Sequence, residues 1–354
     1  MHKTRLAMVT AAIVSALTLG ALTSCAADKT STQAPAEGEA TSAEGADLQA
    51  KADDATDGST KADDATAQET PAKDKGASVE KTSQPTAAKG NAALANQLRA
   101  DVTAIAESSG MDMGISIIDL TDDTRAGYRA AQPMVSASMI KLIVAHTFLK
   151  QVEAGAFSLD ATYTLKGSDL VGGAGVIAGY GAGAQISYRD ILMRMIDNSD
   201  NTAANILIDA VGIDAVNADA NALGLSQTRL NRKMMDYDAI AAGRENYTCA
   251  LDVARLLRLA YKGKFVNADA SSLVMQALRQ QQDTEGIRAG LPAGITFAHK
   301  TGELDTVRHD GGIAEGSHPV VIVVLCGGSG FSYGGALNAM ATVGSAVARD
   351  CGIA

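Results

Sequence analysis

Val135-Ser136-Ala137-Ser138-Met139-Ile140-Lys141, continuing as Leu142-Ile143-Val144-Ala145-His146-Thr147-Phe148-Leu149-Lys150 towards Gly155, is the stretch around which the rest of the chain is organised. Residues 139–149 are apolar on nearly every face, which predicts a helix buried in the middle of a domain, and Gly155 supplies a C-terminal stop. Ser138 and Lys141 stand three residues apart, so on a helix their side chains lie one turn apart on one face. An amine is thereby brought within reach of a hydroxyl. A lysine at the mouth of a buried helix loses solvation and gains positive neighbours, so its pKa falls and it can take the serine proton. Backbone N–H groups at the same helix start could stabilise a developing oxyanion. The pattern needs support from elsewhere, because Ser78-Val79-Glu80-Lys81 repeats it in a polar, low-complexity segment.

The chain has 354 residues, 46% hydrophobic and 20% charged, with a formal net charge of −10. That balance suits one or two globular domains and argues against a nucleic-acid partner, which would call for a basic face. His2, Lys3 and Arg5 give a basic start, Leu6 to Leu22 is apolar or small, and Leu22-Thr23-Ser24-Cys25 closes the run. This resembles a bacterial lipoprotein signal, in which cleavage before Cys25 leaves that cysteine lipid-modified. The alternative is a membrane anchor, for which the 17-residue run is at the short limit. Either reading puts the body of the protein outside the cytoplasm, held to the bacterial cell membrane. Residues 1–24 are therefore left out of fold reasoning.

From 25 to 91 the chain is Ala, Asp, Glu, Lys, Thr, Ser, Gln and Pro, with almost no large apolar side chains, and is expected to be a disordered tether. Lys-Ala-Asp-Asp-Ala-Thr occurs at 51–56 and again at 61–66, which reads as slippage in a low-complexity linker rather than a repeat fold. As a coil such a tether spans roughly 45 Å on average. Besides Cys25 there are Cys249, Cys326 and Cys351, an odd set in which a Cys326–Cys351 pair is one arrangement. The histidines are scattered, and neither a metal nor another cofactor is expected.

The globular part runs from 92 to 354. Asn96 to Ala106 has helical spacing, 114–120 and 124–130 read as strands, and Leu170 to Ala184 is a glycine-rich surface loop. A second polar cluster, Ser199-Asp200-Asn201, falls between apolar helical runs where it could point into a cleft, although these residue types are also ordinary helix caps. Ile295 to Lys300-Thr301-Gly302 then reads as a strand ending in a cation and a hydroxyl, with a glycine that lets a ligand approach the backbone. Further strands are expected at 308–314 and 320–326, and an Ala-rich helix at 335–349.

Ser138-Met139-Ile140-Lys141, Ser199-Asp200-Asn201 and Lys300-Thr301-Gly302, in that order, resemble the three motifs of class A β-lactamases and penicillin-binding proteins. The separations of 61 and 101 residues are similar to class A spacing, as are the runs Ser199 to Asn205 and Arg288 to Gly294. The resemblance implies an α/β (α+β) fold: a mainly antiparallel five-stranded sheet flanked by helices, with the Ser138 helix and segments 165–280 forming an all-helical lobe across a cleft. It implies Ser138 as the acylated nucleophile, Lys141 as its proton acceptor or relay, and Ser199 as the proton shuttle to the leaving nitrogen. Asn201 would hold the substrate's side-chain amide, while Lys300 and Thr301, with Arg308 as a second cation, would bind its carboxylate. The backbone N–H groups of Ser138 and Glu303 would form the oxyanion hole.

One element of the family pattern is absent. The loop that carries the deacylating Glu shortly after an Arg corresponds here to Arg229 through Asn246, with Arg232 at the arginine and Met234 at the glutamate position. A thioether accepts no proton, and losing a positioned base costs on the order of 10²–10⁴ in rate. The expectation is a monomeric serine hydrolase that is acylated by a β-lactam and deacylates slowly. The alternatives are a D-Ala-D-Ala peptidase or esterase acting on cell-wall material, and a non-catalytic cell-wall binding module. The last fits poorly, since a pure binder has no use for an activated serine.

Overall fold

Val320-Val321-Ile322-Val323-Val324-Leu325-Cys326 is apolar at every position, the pattern of a strand covered on both faces, and all seven residues are buried. A computed structural model describes residues 90–354. The signal segment, Cys25, nearly all of the tether and Ser78-Val79-Glu80-Lys81 lie outside the described residues.

The described chain starts with α1 (Ala92–Ser109), capped by the Asn91 side chain, followed by β1 (Asp112–Asp119) and β2 (Arg125–Tyr128). The short β3 (Met134–Val135) leads through one 3-10 turn, Ala137–Ile140, into α2 (Lys141–Glu153). A helical lobe follows: β4 (Thr162–Thr164), β5 (Gln185–Ser187), α3 (Tyr188–Asp197), α4 (Asn201–Val211), α5 (Ile213–Ala222), α6 (Tyr237–Ala241), β6 (Tyr247–Thr248), α7 (Ala250–Tyr261) and α8 (Ala268–Arg279). The short α9 (Ile287–Gly290) returns the chain to β7 (Thr296–Leu304), β8 (Val307–Glu315) and β9 (Val320–Gly327), and α10 (Tyr333–Cys351) closes the domain.

Five strands form one sheet in the order β2-β1-β9-β8-β7, with every neighbouring pair antiparallel. The expected five-stranded sheet is thus present. The lobe adds two small ribbons, β3 with β6 and β4 with β5, to its helices. Alternation along β9 divides the core: Val320, Ile322, Val324 and Cys326 face α1 and α10, whereas Val321, Val323 and Leu325 face the lobe. On the first face Gly290 and Gly344 let α9 and α10 touch, because a Cβ on Gly344 would lie 2.6 Å from the Ile287 carbonyl oxygen. On the second face α2 is enclosed, with residues 141–149 all buried. Gly155, at φ 78°, follows the end of α2 as expected.

Three expectations need correction. The polar run after α3 is a loop only over Asn198–Asp200, because Asp200 caps α4 through the Ala203 N–H and the helix begins at Asn201. The glycine-rich stretch 170–184 is more than a surface loop: Asp200 also accepts from the N–H groups of Val176 and Ile177, pulling the loop against the head of α4. Gly175, at φ 124°, is required there, since a Cβ would lie 2.3 Å from the Asp200 carboxyl carbon. Cys249, Cys326 and Cys351 are all free and buried, so the Cys326–Cys351 pair does not form.

Candidate active site

The cleft lies where the first turn of α2, the α3–α4 junction and the edge strand β7 converge. Ala137, at φ 43°, takes the left-handed conformation that turns the chain from β3 into the 3-10 turn carrying Ser138. Ser199, at φ 55°, and Met235, at φ 59°, are further non-glycine left-handed residues in the cleft. Such backbone costs of order 1–3 kcal/mol and persists only where surroundings enforce it. Ser136 contributes to that enforcement by donating its N–H to the Asn246 carbonyl at 2.7 Å.

Lys141 Nζ lies 3.1 Å from Ser138 Oγ, 3.3 Å from Ser199 Oγ and 2.8 Å from Asn201 Oδ1, and it also donates to the Ser199 carbonyl. The side chain is wholly buried, and that burial, followed by the nearby charge of Lys300, drives its pKa well below the ordinary lysine value. A neutral amine has two N–H groups and one lone pair. With the N–H groups directed at Ser199 O and Asn201 Oδ1, the lone pair is left for the Ser138 hydroxyl.

Lys300 reaches Ser199 from the other side: its Nζ donates to Ser199 Oγ at 2.8 Å and to the Thr301 carbonyl at 2.6 Å. Burial pulls its pKa down to about 7 against the opposing pull of Asp310. Two amines therefore flank one serine hydroxyl, a chain of proton-carrying groups running from Ser138 to Lys300. Gly302 follows on β7 and packs against the Ser138 turn, where a Cβ would meet Ser138 N at 3.2 Å. The Ser138 N–H stands at the start of that turn, where helical N–H groups have no intrahelical partner.

Glu303 and Arg308 are cross-strand partners on β7 and β8, and both line the cleft beside Ser138, Ser199 and Thr301. Arg308 is held by Glu303 at 2.8 Å and by Asp283, and its guanidinium lies 5.4 Å from the centre of the Tyr333 ring. Asn201 donates to the Gly172 carbonyl at 3.1 Å, and its N–H donates to the Ala174 carbonyl at 2.9 Å. The glycine-rich loop thus forms one wall of the cleft.

The opposite wall is the segment from Arg232 to Asn246. Arg232 makes a two-pronged ion pair with Glu245, at 2.6 and 3.1 Å. The Asn205 side chain clamps Met234, accepting from its N–H at 2.7 Å and donating to its carbonyl at 3.0 Å. Met234 faces a cavity of about 270 Å³ that it shares with Ser138, Asn201, Met235, Tyr237 and Ile240. Two nearby carboxylates are engaged, although Glu245 lines this same cavity, and Asp238 stands exposed on α6. Asp236 caps α6 through the Ala239 N–H, and Glu245 is tied to Arg232. Asp310 binds His299 at 2.8 Å, and His309 contacts the Val135 carbonyl at 2.8 Å.

All eight site residues expected in the described chain, namely Ser138, Lys141, Ser199, Asn201, Lys300, Thr301, Glu303 and Arg308, surround this single cleft. Sequence reasoning missed the carbonyls of Gly172 and Ala174, the Asn205 clamp, and Asp283 and Tyr333 around Arg308. Only Asn205 carried a signal, as the last residue of the run from Ser199, and nothing in the run assigns it a task.

Residues 94–350 match the model of the beta-lactamase enzyme family. The chain is 31% identical to β-lactamase Toho-1 of Escherichia coli over 216 residues, 60% of this chain and 74% of that protein. It is 27% identical to β-lactamase L2 of Stenotrophomonas maltophilia over 259 residues, 71% of this chain and 85% of that one. A β-lactamase structure from Sphaerobacter thermophilus DSM 20745 superposes with a TM-score of 0.66 at 25% identity, covering 73% of this chain and 98% of that one. The structure of PBP-A has the same fold, with a TM-score of 0.66 at 22% identity over 72% of this chain and 95% of that one.

Proposed function

The chain belongs to the beta-lactamase enzyme family, and on that premise we propose that it is a serine hydrolase of β-lactams whose acyl-enzyme, formed on Ser138, is long-lived. Neutral Lys141 takes the proton of Ser138 Oγ, and the oxygen attacks the lactam carbonyl carbon. The negative charge that develops on the carbonyl oxygen is met by the backbone N–H groups of Ser138 and Glu303. As the C–N bond breaks, Ser199 passes its proton to the leaving nitrogen and recovers one from the amines beside it. Lys300, Thr301 and Arg308 bind the substrate carboxylate, and Asn201 holds the side-chain amide. The lipid anchor at Cys25 and the tether up to residue 91 are part of the same proposal.

Met234 carries the second half of the reading. Hydrolysis of the ester on Ser138 needs a base to activate water, and the residue that lines the cavity at this point is Met234, a thioether on a backbone held by Asn205. Removing such a base costs on the order of 10²–10⁴ in rate, so the reaction is expected to stall after acylation. The same observation favours a second reading, a penicillin-binding peptidase of cell-wall stems, for which a β-lactam is an inhibitor.

A chromogenic cephalosporin mixed with the 92–354 domain, followed by colour and by intact mass, tests the proposal. One burst of colour per enzyme with a persistent adduct, absent in Ser138→Ala, is the expected result. Sustained colour without an adduct would mean that another group activates water. Neither colour nor adduct would sink the β-lactam reading and leave peptides and esters as substrates.

A further inference from the structure

The cation meant for the substrate's carboxylate is already occupied. Arg308 is buried to all but 4% of its side chain, and two carboxylates hold it: Asp283 from the α8–α9 connection and Glu303 from its cross-strand position on β7. They are not equivalent. The Asp283 side chain is 21% exposed, whereas that of Glu303 is 55% exposed and lies at the mouth of the cleft. Tyr333 extends the arrangement from α10, its hydroxyl 3.3 Å from Glu303 Oε2 and its ring beside the guanidinium. Asp305, exposed at the β7–β8 turn, adds a further negative charge to the same rim.

A fixed guanidinium recognises a carboxylate through N–H donors on its edges, and here Asp283 takes Nη2 and Glu303 takes Nη1, so a ligand that pairs through Nη1 competes with Glu303. Asp283 anchors Arg308 from within the protein. Glu303 covers it from the solvent side, in the direction from which a ligand enters. We propose that the Glu303 side chain is a displaceable counter-ion of Arg308, so that it sets specificity by competing with the carboxylate of incoming substrates. This rests on the reading of the cleft as a β-lactam site, and assigns to Glu303 a task separate from that of its backbone N–H. An anionic substrate must expel Glu303 into water before it can pair with Arg308, whereas an uncharged analogue bypasses that step. On this proposal the site binds an anionic substrate less tightly than the Lys300, Thr301 and Arg308 set alone would.

Two readouts separate this inference from the proposed function. Benzylpenicillin and its methyl ester are each offered to the wild type and to Glu303→Gln, which keeps the backbone N–H and nearly the same shape. The second-order rate of adduct formation on Ser138 is measured by mass. Glu303→Gln is expected to raise the acid-to-ester ratio of these rates about threefold to tenfold, the range of a partly exposed ion pair. Equilibrium binding of the same two compounds is read by ligand-detected NMR on Ser138→Ala, with and without Glu303→Gln, where acylation cannot contribute. Tighter binding of the acid alone supports the inference. Equal effects on acid and ester, weaker binding of the acid, or no acid binding in either protein would overturn it. The weaker-binding outcome would make Glu303 a residue that positions Arg308. If the acid binds as expected while no adduct forms on the wild-type chain, the competition stands and the acylation reading fails.

Discussion

Lys141 bonds Ser138 and Met234 lines the cavity beside it, and in the proposed reaction each decides one half. Complete burial makes Lys141 a poor cation and hence a usable base. Met234 has a similar length and no basic atom. Its backbone is held on both edges by Asn205, so a glutamate in its place would enter a fixed wall rather than a loose loop. Met234→Glu is therefore expected to convert the burst into turnover, raising the deacylation rate by about 10² or more, with adduct formation little changed. The lifetime of the Ser138 adduct by intact mass is the deciding measurement. A lifetime equal to that of the wild type would mean that the cavity beside Met234 holds no competent water, and that the loss of the glutamate is not what stalls the reaction. The residue types were legible in the sequence because proton transfer, oxyanion support and carboxylate binding each call for a particular kind of group. Their engagement was not: nothing in Gln280-Gln281-Gln282-Asp283 announces a partner for Arg308, since that pairing depends on the route of the α8–α9 connection.

Strands and helices were legible to the extent that one face of each meets the core. The all-apolar run of β9 and the enclosed α2 predicted their burial, and five strands were anticipated at close to their observed limits. Close approaches between elements left weaker traces, because a glycine read alone does not say whether it turns the chain or admits a neighbour. Helix α10 contains one glycine that admits a neighbour and one that does neither. A Cβ on Gly344 would press on the Ile287 carbonyl oxygen, whereas one on Gly334, in the first turn, would meet nothing within 4 Å. Gly344→Ala is expected to destabilise the domain by about 1–3 kcal/mol through overpacking. Gly334→Ala should leave stability unchanged or raise it by about 0.5 kcal/mol through lower unfolded-state entropy. Urea midpoints of the two variants give the comparison, and similar midpoints would show that α9 moves aside without cost. The glycine-rich loop was misread for the same reason: its six glycines suggest freedom, yet Asp200 fastens it and Asn201 uses two of its carbonyls.

Across the whole molecule, the groups that make the cleft reactive also make the folded state sensitive to pH. Burial lowers Lys300 to about 7 and His309 to about 4, both below their ordinary values of 10.5 and 6.5. For a base with a depressed folded pKa, the unfolded chain binds more protons between the two values, so stability rises with pH across that window. His309 contributes between about pH 4 and 6.5, and Lys300 between about pH 7 and 10.5. His309 carries the effect into the site, because it is the contact of β8 with the Val135 carbonyl, directly before the Ser138 turn. Carboxylate binding runs the opposite way: Lys300 attracts an anion only while protonated, and that attraction fades as pH rises through about 7. Stability measured by urea should therefore climb from pH 5 to pH 9, while the second-order acylation rate with benzylpenicillin falls above about pH 7. With the methyl ester that falling limb should vanish, because the lost attraction is to a charge the ester lacks. A limb shared by acid and ester would assign the titration to the proton relay through Ser199 instead of to carboxylate recognition by Lys300.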